Sequence, residues 1–324
     1  MQPLAKSTQN LTFDELFSLY YERHVKLRTR CPRNTLYFLT AHGAYWKEIP
    51  LEEITRELIQ DWADGVALKS PSAATRGIGV LSAMFNWGIK RGHFKGVNPC
   101  IGVEKFRTKS RKRFLTPEEL VRFCDALTKE PPLIHDFFLT CLTTAARRGN
   151  VQAMRWEEID FDLETWTIPE ENFKNGESHI LPLNKMALAI LKSRAEKSSG
   201  SPWVFPTRRS SSGHLMEPRR ALERILERAN IQDFHIHDLR RTHASYMAIH
   251  GENQYVIGQM LGHRDMRSTA IYARLNMTAV RNASETVINK WQTILATDAE
   301  AELPNYNRRF PRSRNNKQHT TIGM

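Results

Sequence analysis

Four side chains near the C-terminal end of this sequence have types and spacings that suit chemistry on an anion. His237 and Arg240 are three residues apart, a spacing that places both on one face of a helix, so both can point into one pocket. Gly262 predicts a helix end just before His263, after which the chain can turn His263 and Tyr272 toward that pocket. Two imidazoles, a guanidinium and a phenol that converge on one point favour an anionic target.

The charge of the chain indicates nucleic acid as the partner. The 324 residues carry a formal net charge of +12, and the sequence pI is about 9.7. A positive field of this size favours a polyanion. An anionic membrane surface is the second candidate, but it requires a basic amphipathic segment or a lipid anchor, and the sequence has neither. No apolar run approaches the ~20 residues of a membrane span.

Cysteine usage and the first residues predict a cytoplasmic protein. Cys31, Cys100, Cys124 and Cys141 are scattered, with no CxxC pair and no histidine at ligand spacing. Reduced, buried and small apolar side chains are the simplest interpretation. The first ten residues have neither an apolar core nor a small-residue cleavage site, so we expect no export.

The pattern of the first third predicts a helical domain, residues 1–101, followed by a basic linker, residues 102–114. Thr12 and Glu15 form a capping box, and Ser70-Pro71 begins a helix with apolar residues at helical spacing. The linker lacks the apolar residues needed to fold. A solvated hinge without a role is one interpretation. We favour a strap that contacts DNA phosphates through six basic side chains, namely Lys105, Arg107, Lys109, Arg111, Lys112 and Arg113.

A second domain, residues 115–297, is predicted from a mixed helical and strand pattern. It opens with Thr116-Pro117-Glu118-Glu119, a capping box with proline at the first helical position. Residues 165–168 and 178–183 predict two strands, joined by a turn at Lys174-Asn175-Gly176. The polar, basic residues 298–324 predict a disordered tail. The expected fold class is therefore mainly α with a small antiparallel β-sheet, in two domains.

Several ordered motifs of the second domain resemble those of the tyrosine recombinases, also called the phage integrase family. They are TTAARRGNVQAMRWEEID from Thr143, HDLRRTHAS from His237, LGHRD from Leu261, and a tyrosine nine residues beyond His263. FKNGESHILPL, from Phe173, is similar to the lysine hairpin of the family. The resemblance implies an α+β catalytic domain preceded by a helical, SAM-like core-binding domain.

The resemblance also implies a role for each matching residue. Tyr272 is the nucleophile, which attacks a phosphodiester to leave a 3′-phosphotyrosyl bond and a free 5′-hydroxyl. Arg147, Arg240 and His263 hold the phosphate oxygens. Lys174 protonates the departing 5′-oxygen, with Lys185 as a possible substitute. His237 assists proton transfer and orients the phosphate.

Elementary chemistry supports this division of roles. A phenol has a reference pKa near 10, so only roughly one in a thousand is ionised at neutral pH. Tyr272 therefore needs a base during attack, and a neutral histidine can serve. Planar guanidinium groups match the charge that gathers on the phosphate oxygens.

No metal and no other cofactor is expected for this chemistry. The cationic side chains supply the positive charge, and the covalent bond stores the energy of the broken phosphodiester. His235, His237 and His243 do not make a zinc site, because alternate residues on a helix point apart and a further ligand at the right spacing is missing.

Two residues depart from the pattern of the family. Ala145 stands where the family usually has glycine, and Asn150 stands where it usually has a carboxylate, a change that could alter how Arg147 is held. The sequence begins almost at the predicted core-binding helices, so we expect no separate arm-binding module of the kind found in some phage integrases.

The predicted function is site-specific DNA recombination, for integration or excision of a phage or other mobile element. The resemblance implies two domains that clamp double-stranded DNA and a homotetramer on that DNA, in the cytoplasm at the nucleoid. It leaves open whether an accessory DNA-bending protein takes part. Two alternatives stay open. One is a type IB-like topoisomerase, which uses the same pocket without synapsis, and the other is a catalytically inactive DNA-binding regulator.

Overall fold

The computed structural model describes residues 11–29, 31–107, 111–172, 177–198, 200–208, 210–263, 265–275 and 277–298. These residues fall into two compact units that divide between Arg111 and Lys112, within the predicted linker. The finer domain boundaries and the role assigned to each segment stay predictions. The tail predicted from residue 298 lies almost entirely outside the described residues.

The first unit is helical. Thr12 caps its first helix as predicted, since its side chain accepts from Glu15 N while the Glu15 carboxylate accepts from Thr12 N at 3.0 Å. Ser70 caps the longest helix, with Pro71 at its first position. The helices are α1 Phe13–Tyr20, α2 Lys26–Arg28, α3 Pro32–His42, α4 Arg56–Ala67 and α5 Pro71–Lys90, with a π-helical turn Tyr21–Val25 joining α1 to α2.

The core of the first unit is built from apolar side chains at helical spacing on α1, α4 and α5. Leu16, Ile59, Ile78, Leu81 and Phe85 are buried there. This burial supplies the stability that a short helix lacks in isolation. The aromatic side chains of α5 belong to this core, as their spacing predicts.

The second unit is helical with a small sheet between its helices. Its helices are α6 Pro117–Leu127, α7 Pro132–Thr144, α8 Arg148–Gln152, α9 Lys185–Glu196, α10 Arg219–Arg228, α11 Ile236–Ile249, α12 Gln254–Leu261 and α13 Met277–Asp298. Thr116 caps α6 with the predicted box, since the Glu119 carboxylate accepts from Thr116 N at 3.0 Å. None of the helices in the described part of the chain is long and apolar enough to cross a membrane.

The sheet has three antiparallel strands in the order β1-β2-β3, namely β1 Ile159–Asp160, β2 Thr165–Ile168 and β3 His179–Pro182. Trp166 faces Leu181 and Ile168 faces His179 across β2 and β3. Trp166 and Leu181 are buried, while Ile180 is exposed, which follows from the alternation of side chains along a strand. The predicted turn at residues 174–176 lies outside the described residues. The predicted fold class, mainly α with a small antiparallel sheet, is confirmed.

A small apolar cluster stands apart from the main core of the second unit. The main core contains Phe123, Phe137, Phe138, Trp166 and Phe205. The small cluster joins the end of α7, one face of α11, the inner face of α12 and the segment after it, through Ala145, Ala244, Ala248, Ile257, Leu261 and Tyr272. Segments distant in sequence therefore meet beside α11.

Candidate active site

Within the described part of the chain, Arg240 is the most enclosed cationic residue of the predicted set. Its side chain leaves α11 three residues after His237, and the residue is 5 % exposed. Nη1 donates to Ala145 O at 2.7 Å, and Nη2 donates to Leu261 O at 2.6 Å. Burial, with the charge of Arg147 second, lowers the pKa of Arg240 to about 9. The hydrogen bonds fix the guanidinium in place before any substrate arrives.

The carbonyl that receives Arg240 Nη1 is presented by an unusual backbone conformation. Ala145 follows the last residue of α7 with φ 53° and ψ 13°, in the left-handed region. Glycine enters this region without strain, whereas an L-residue with a Cβ does so at a cost. The glycine expected here from the family pattern thus has a structural reason, and alanine is the smallest side chain that can replace it.

Arg147 lies two residues further along, at the N-cap of α8. Burial lowers its pKa, and its positive charge lowers the pKa values of Arg240, His237 and His263. The charge of Arg147 therefore acts on the same pocket. Asn150 is buried one turn later, and no hydrogen-bond partner for its Nδ2 is found among the described residues.

The two predicted histidines are both neutral at physiological pH. Desolvation by the surrounding protein lowers the pKa of His237 to about 4, although the residue is partly exposed to solvent; the charges of Arg240, Arg241 and Arg147 also lower this pKa, and that of Asp238 raises it. Burial also lowers the pKa of His263 to about 4, with Arg240, Arg147 and His237 as further causes. His263 Nε2 lies 3.3 Å from Arg240 Nη2, and its Nδ1 lies 3.0 Å from Thr269 Oγ1.

Tyr272 lies against the same face of α11, in the short 3-10 segment Ala270–Leu275. It is 6 % exposed and belongs to the cluster formed with Ala244 and Ala248. Burial raises the pKa of Tyr272, the charges of Arg240 and Arg241 lower it, and the charge of Asp238 raises it. The phenol is thus within electrostatic reach of Arg240.

The structure therefore brings together Arg147, His237, Arg240, His263 and Tyr272. Lys174 lies outside the described residues, so its assignment stays a prediction. Lys185 begins α9, at the position after the capping residue Asn184. Within the described part of the chain, no group of three or more histidine, cysteine or acidic residues is placed to hold a metal ion.

The six predicted linker residues differ in environment. Lys105, Arg107 and Lys112 are exposed, and Lys109 lies outside the described residues. Arg113 forms an ion pair with Glu119 at 2.6 Å and lies over the Phe234 ring at 5.6 Å. Arg111 is half-buried. The composition of the basic linker does not indicate which of its side chains are exposed and which are paired.

Residues that sequence reasoning did not single out also reach this pocket. Burial lowers the pKa of His179, a hydrogen bond to the Met260 backbone raises it, and the charges of Arg240 and Arg147 lower it. Arg241 donates to the buried Asp238 at 3.1 Å, and both charges act on Tyr272. His179 and Arg241 lie inside the recognised motifs, but their contacts depend on the folded chain.

The comparisons with known proteins agree with this fold. Residues 113–279 match the Phage integrase family. Prophage integrase IntF of Escherichia coli (strain K12) is 24 % identical over 233 residues, which cover 67 % of this chain and 48 % of IntF. The shufflon-specific DNA recombinase of Escherichia coli is 30 % identical over 205 residues, which cover 61 % of this chain and 50 % of that protein. The chain spans about half the length of these two curated relatives.

A solved structure shows the same fold. The crystal structure of a lambda integrase dimer bound to a COC′ core site superposes with a TM-score of 0.67 at 18 % identity, covering 82 % of this chain and 78 % of the integrase chain. A mainly helical fold with a small sheet, and a tyrosine beside a buried arginine, a second arginine and two histidines, define the tyrosine recombinase class. The chain belongs to the phage integrase family.

Proposed function

We propose that this protein is a site-specific DNA recombinase, an integrase that cuts and rejoins double-stranded DNA through a 3′-phosphotyrosyl intermediate. The observation that carries the proposal is the fixed guanidinium of Arg240, which is tied to Ala145 O and Leu261 O and lies beside His263. Tyr272 packs against the same helix. A preorganised cation next to a phenol matches what attack on a phosphodiester requires.

In the proposed reaction, Tyr272 Oη attacks the phosphorus atom of the scissile linkage. The bond from phosphorus to the 5′-oxygen breaks, and that oxygen leaves with a proton from Lys174. The phenol proton passes to a neighbouring histidine, His237 or His263, because both rings are neutral and have a nitrogen that can accept a proton. Arg147 and Arg240 stabilise the charge on the non-bridging oxygens. Rejoining reverses these steps with a new 5′-hydroxyl.

DNA is the proposed partner because of the charge of +12 and because the lambda integrase structure contains a DNA core site. The exposed Lys105, Arg107 and Lys112 suit contacts with its phosphates. The proposed assembly is a homotetramer on two duplexes, acting in integration or excision of a phage or other mobile element. Strand exchange by the purified protein alone would show that an accessory DNA-bending protein is not required.

The decisive experiment is adduct formation on nicked duplexes that tile the DNA flanking the gene for this protein. Wild-type protein in EDTA is expected to form an adduct that survives denaturant, and Tyr272→Phe is expected to form none. Tyr255→Phe is the matched control, since Tyr255 is 60 % exposed on α12, and it should retain adduct formation.

Adduct formation by Tyr272→Phe would refute the proposed nucleophile. Absence of any adduct would favour the DNA-binding regulator, and plasmid relaxation without strand exchange would favour the topoisomerase.

The role proposed for Lys174 has its own test, based on the leaving group. A substrate with a bridging sulfur at the 5′ position leaves as a thiolate, which needs little protonation because thiols have reference pKa values near 8.5. Lys174→Ala should therefore cleave the normal linkage slowly and the sulfur linkage at the wild-type rate. Lys185→Ala is the control and should cleave both normally. Wild-type cleavage of the normal linkage by Lys174→Ala would refute the assignment.

A further inference from the structure

Thr269 occupies an unusual place between two residues of the proposed site. Its side chain is 0 % exposed, and a buried hydroxyl requires a hydrogen-bond partner. Oγ1 lies 3.0 Å from His263 Nδ1. The Thr269 carbonyl oxygen accepts a hydrogen bond of 3.0 Å from Tyr272 N. One residue therefore contacts both His263 and the backbone of the proposed nucleophile.

We propose that Thr269 is a positioning residue that acts with Arg240 to hold His263 in one tautomer and orientation, with the proton on Nδ1 and the lone pair on Nε2 directed at Arg240. The proposal rests on the proposed recombinase function for its consequence in catalysis. The tautomer itself follows from the hydrogen bonds and stands apart from any activity.

The tautomer of His263 follows from its contact with Arg240, because an arginine side chain can only donate hydrogen bonds. A guanidinium has five N–H donors and no acceptor. Arg240 Nη2 lies 3.3 Å from His263 Nε2, so Nε2 must accept. A neutral imidazole has one donor nitrogen and one acceptor nitrogen, so its proton is on Nδ1. Nδ1–H then donates to Thr269 Oγ1, and both ring nitrogens are held.

A neutral ring is the state expected for His263 here. Burial lowers its pKa to about 4, and the positive charges of Arg240 and Arg147 add to the effect. At neutral pH the ring is therefore uncharged, and its lone pair on Nε2 accepts from Arg240 Nη2. Without the Thr269 hydroxyl, Nδ1–H loses this acceptor while Nε2 still faces Arg240, so the free-energy preference for this tautomer and ring orientation decreases. Orienting partners of this kind determine the tautomer of functional histidines elsewhere.

The tautomer can be measured by NMR on protein with nitrogen-15-labelled histidine, in the absence of DNA. The spectrum of His263→Gln identifies the signals of His263 among those of the 12 histidines. Wild-type protein is expected to show His263 with the proton on Nδ1. Thr269→Val, which keeps the shape and removes the hydroxyl, should weaken this preference and shift the ring toward a mixture of tautomers. Thr269→Ser should restore the wild-type signal.

Two NMR outcomes would overturn the proposal: a wild-type His263 with its proton on Nε2, or an unchanged signal in Thr269→Val. The wild-type measurement decides the tautomer even if Thr269→Val does not fold. Because DNA is absent, the result also remains interpretable if the wild-type protein forms no adduct with any duplex. In that case the proposed recombinase function fails, whereas the tautomer assignment is judged separately.

Single-turnover cleavage tests the catalytic consequence. Thr269→Val is expected to cleave a nicked duplex about 10- to 100-fold more slowly, the range typical for loss of an orienting partner, with unchanged DNA affinity. Its pH profile should also differ from that of the wild type, because the protonation of His263 changes. Thr269→Ser should recover most of the rate. Cleavage by Thr269→Val at the wild-type rate and with the wild-type pH profile would overturn the positioning role.

Discussion

The backbone carbonyl of Ala145 accepts a 2.7 Å hydrogen bond from Nη1 of Arg240, a residue 95 positions later in the chain. The left-handed conformation of Ala145, with φ 53°, directs this carbonyl toward α11 after α7 ends. The second anchor of Arg240, at Leu261 O, comes from the last residue of α12. Three elements thus hold one guanidinium, so the cation is positioned by the fold.

Replacement of this guanidinium should reduce both stability and activity. In Arg240→Lys, a single ammonium cannot replace the two-sided hydrogen bonding, so at least one buried carbonyl loses its donor, at about 1–3 kcal/mol. Cleavage should fall by about 100- to 1000-fold, the cost of one preorganised donor. Thermal unfolding and single-turnover cleavage measure the two effects.

Arg219→Lys serves as the control for this substitution. Arg219 is exposed on α10 and pairs with Glu223 four residues later. Exposed pairs of this kind contribute at most about 1 kcal/mol, so stability and cleavage should match those of the wild type. Equal behaviour of Arg240→Lys and Arg219→Lys would contradict the role given to the buried guanidinium.

The conformation of Ala145 leads to opposite expectations for two substitutions. Valine at a left-handed φ adds backbone strain to overpacking of a buried position, so Ala145→Val should lower the free energy of unfolding by about 2 kcal/mol or more. In Ala145→Gly, relief of roughly 1 kcal/mol of strain is offset by about 0.8 kcal/mol of lost methyl burial, and its stability should stay near that of the wild type. Urea unfolding compares the two. A valine variant as stable as the glycine variant would show that Ala145 is not left-handed in solution.

The local parts of the fold were predictable from the sequence because their causes are local. Thr116 and Glu119 form a capping box within four residues, and α6 begins where that box predicts. The strand pattern over residues 165–168 predicted β2 with the same bounds that the structure shows. Capping and alternation depend on a few neighbouring residues, so a single sequence carries them.

The contacts that assemble the site were not predictable in the same way. The partners of Arg240 are backbone carbonyls, and any residue has one, so no side-chain type indicates which carbonyl is used. Family resemblance predicted Arg240 and His263, but it did not predict the Thr269 contact with His263 Nδ1. Arg113 shows the converse: its position in a basic run predicts a DNA contact, whereas the fold pairs it with Glu119.

Acidification should destabilise the protein through the two histidines of the site. The pKa values of His237 and His263 are lowered to about 4 in the folded protein, against about 6.5 when exposed. Between these values the unfolded chain binds more protons, so stability falls as the pH decreases from about 6.5 toward 4. His263 contributes a slope of at most about 1.4 kcal/mol per pH unit. His237 is exposed, so screening by solvent makes its contribution smaller.

Urea unfolding at several pH values tests this expectation. The slope of stability against pH should be shallower in His263→Gln than in the wild type. His250→Gln replaces an exposed histidine after the end of α11, and its slope should match that of the wild type. A His263→Gln slope as steep as the wild-type slope would mean that His263 is not kept neutral by the fold.

The last helix, α13, should hold neighbouring protomers together on DNA. Val280, Val287 and Trp291 are spaced to share one face of α13, and all three are exposed, Trp291 by 58 %. Burial of the exposed part of Trp291 against a second copy is worth about 2–3 kcal/mol, or roughly 30- to 150-fold in association. Trp291→Asp should therefore lower the fraction of tetramer on paired duplexes in sedimentation analysis and leave adduct formation on a single nicked duplex intact.

Lys290→Asp is the control for Trp291→Asp. It changes the charge of the adjacent exposed residue and should leave the assembly unchanged. Equal tetramer fractions for Trp291→Asp and the wild type would show that this face of α13 is not an interface.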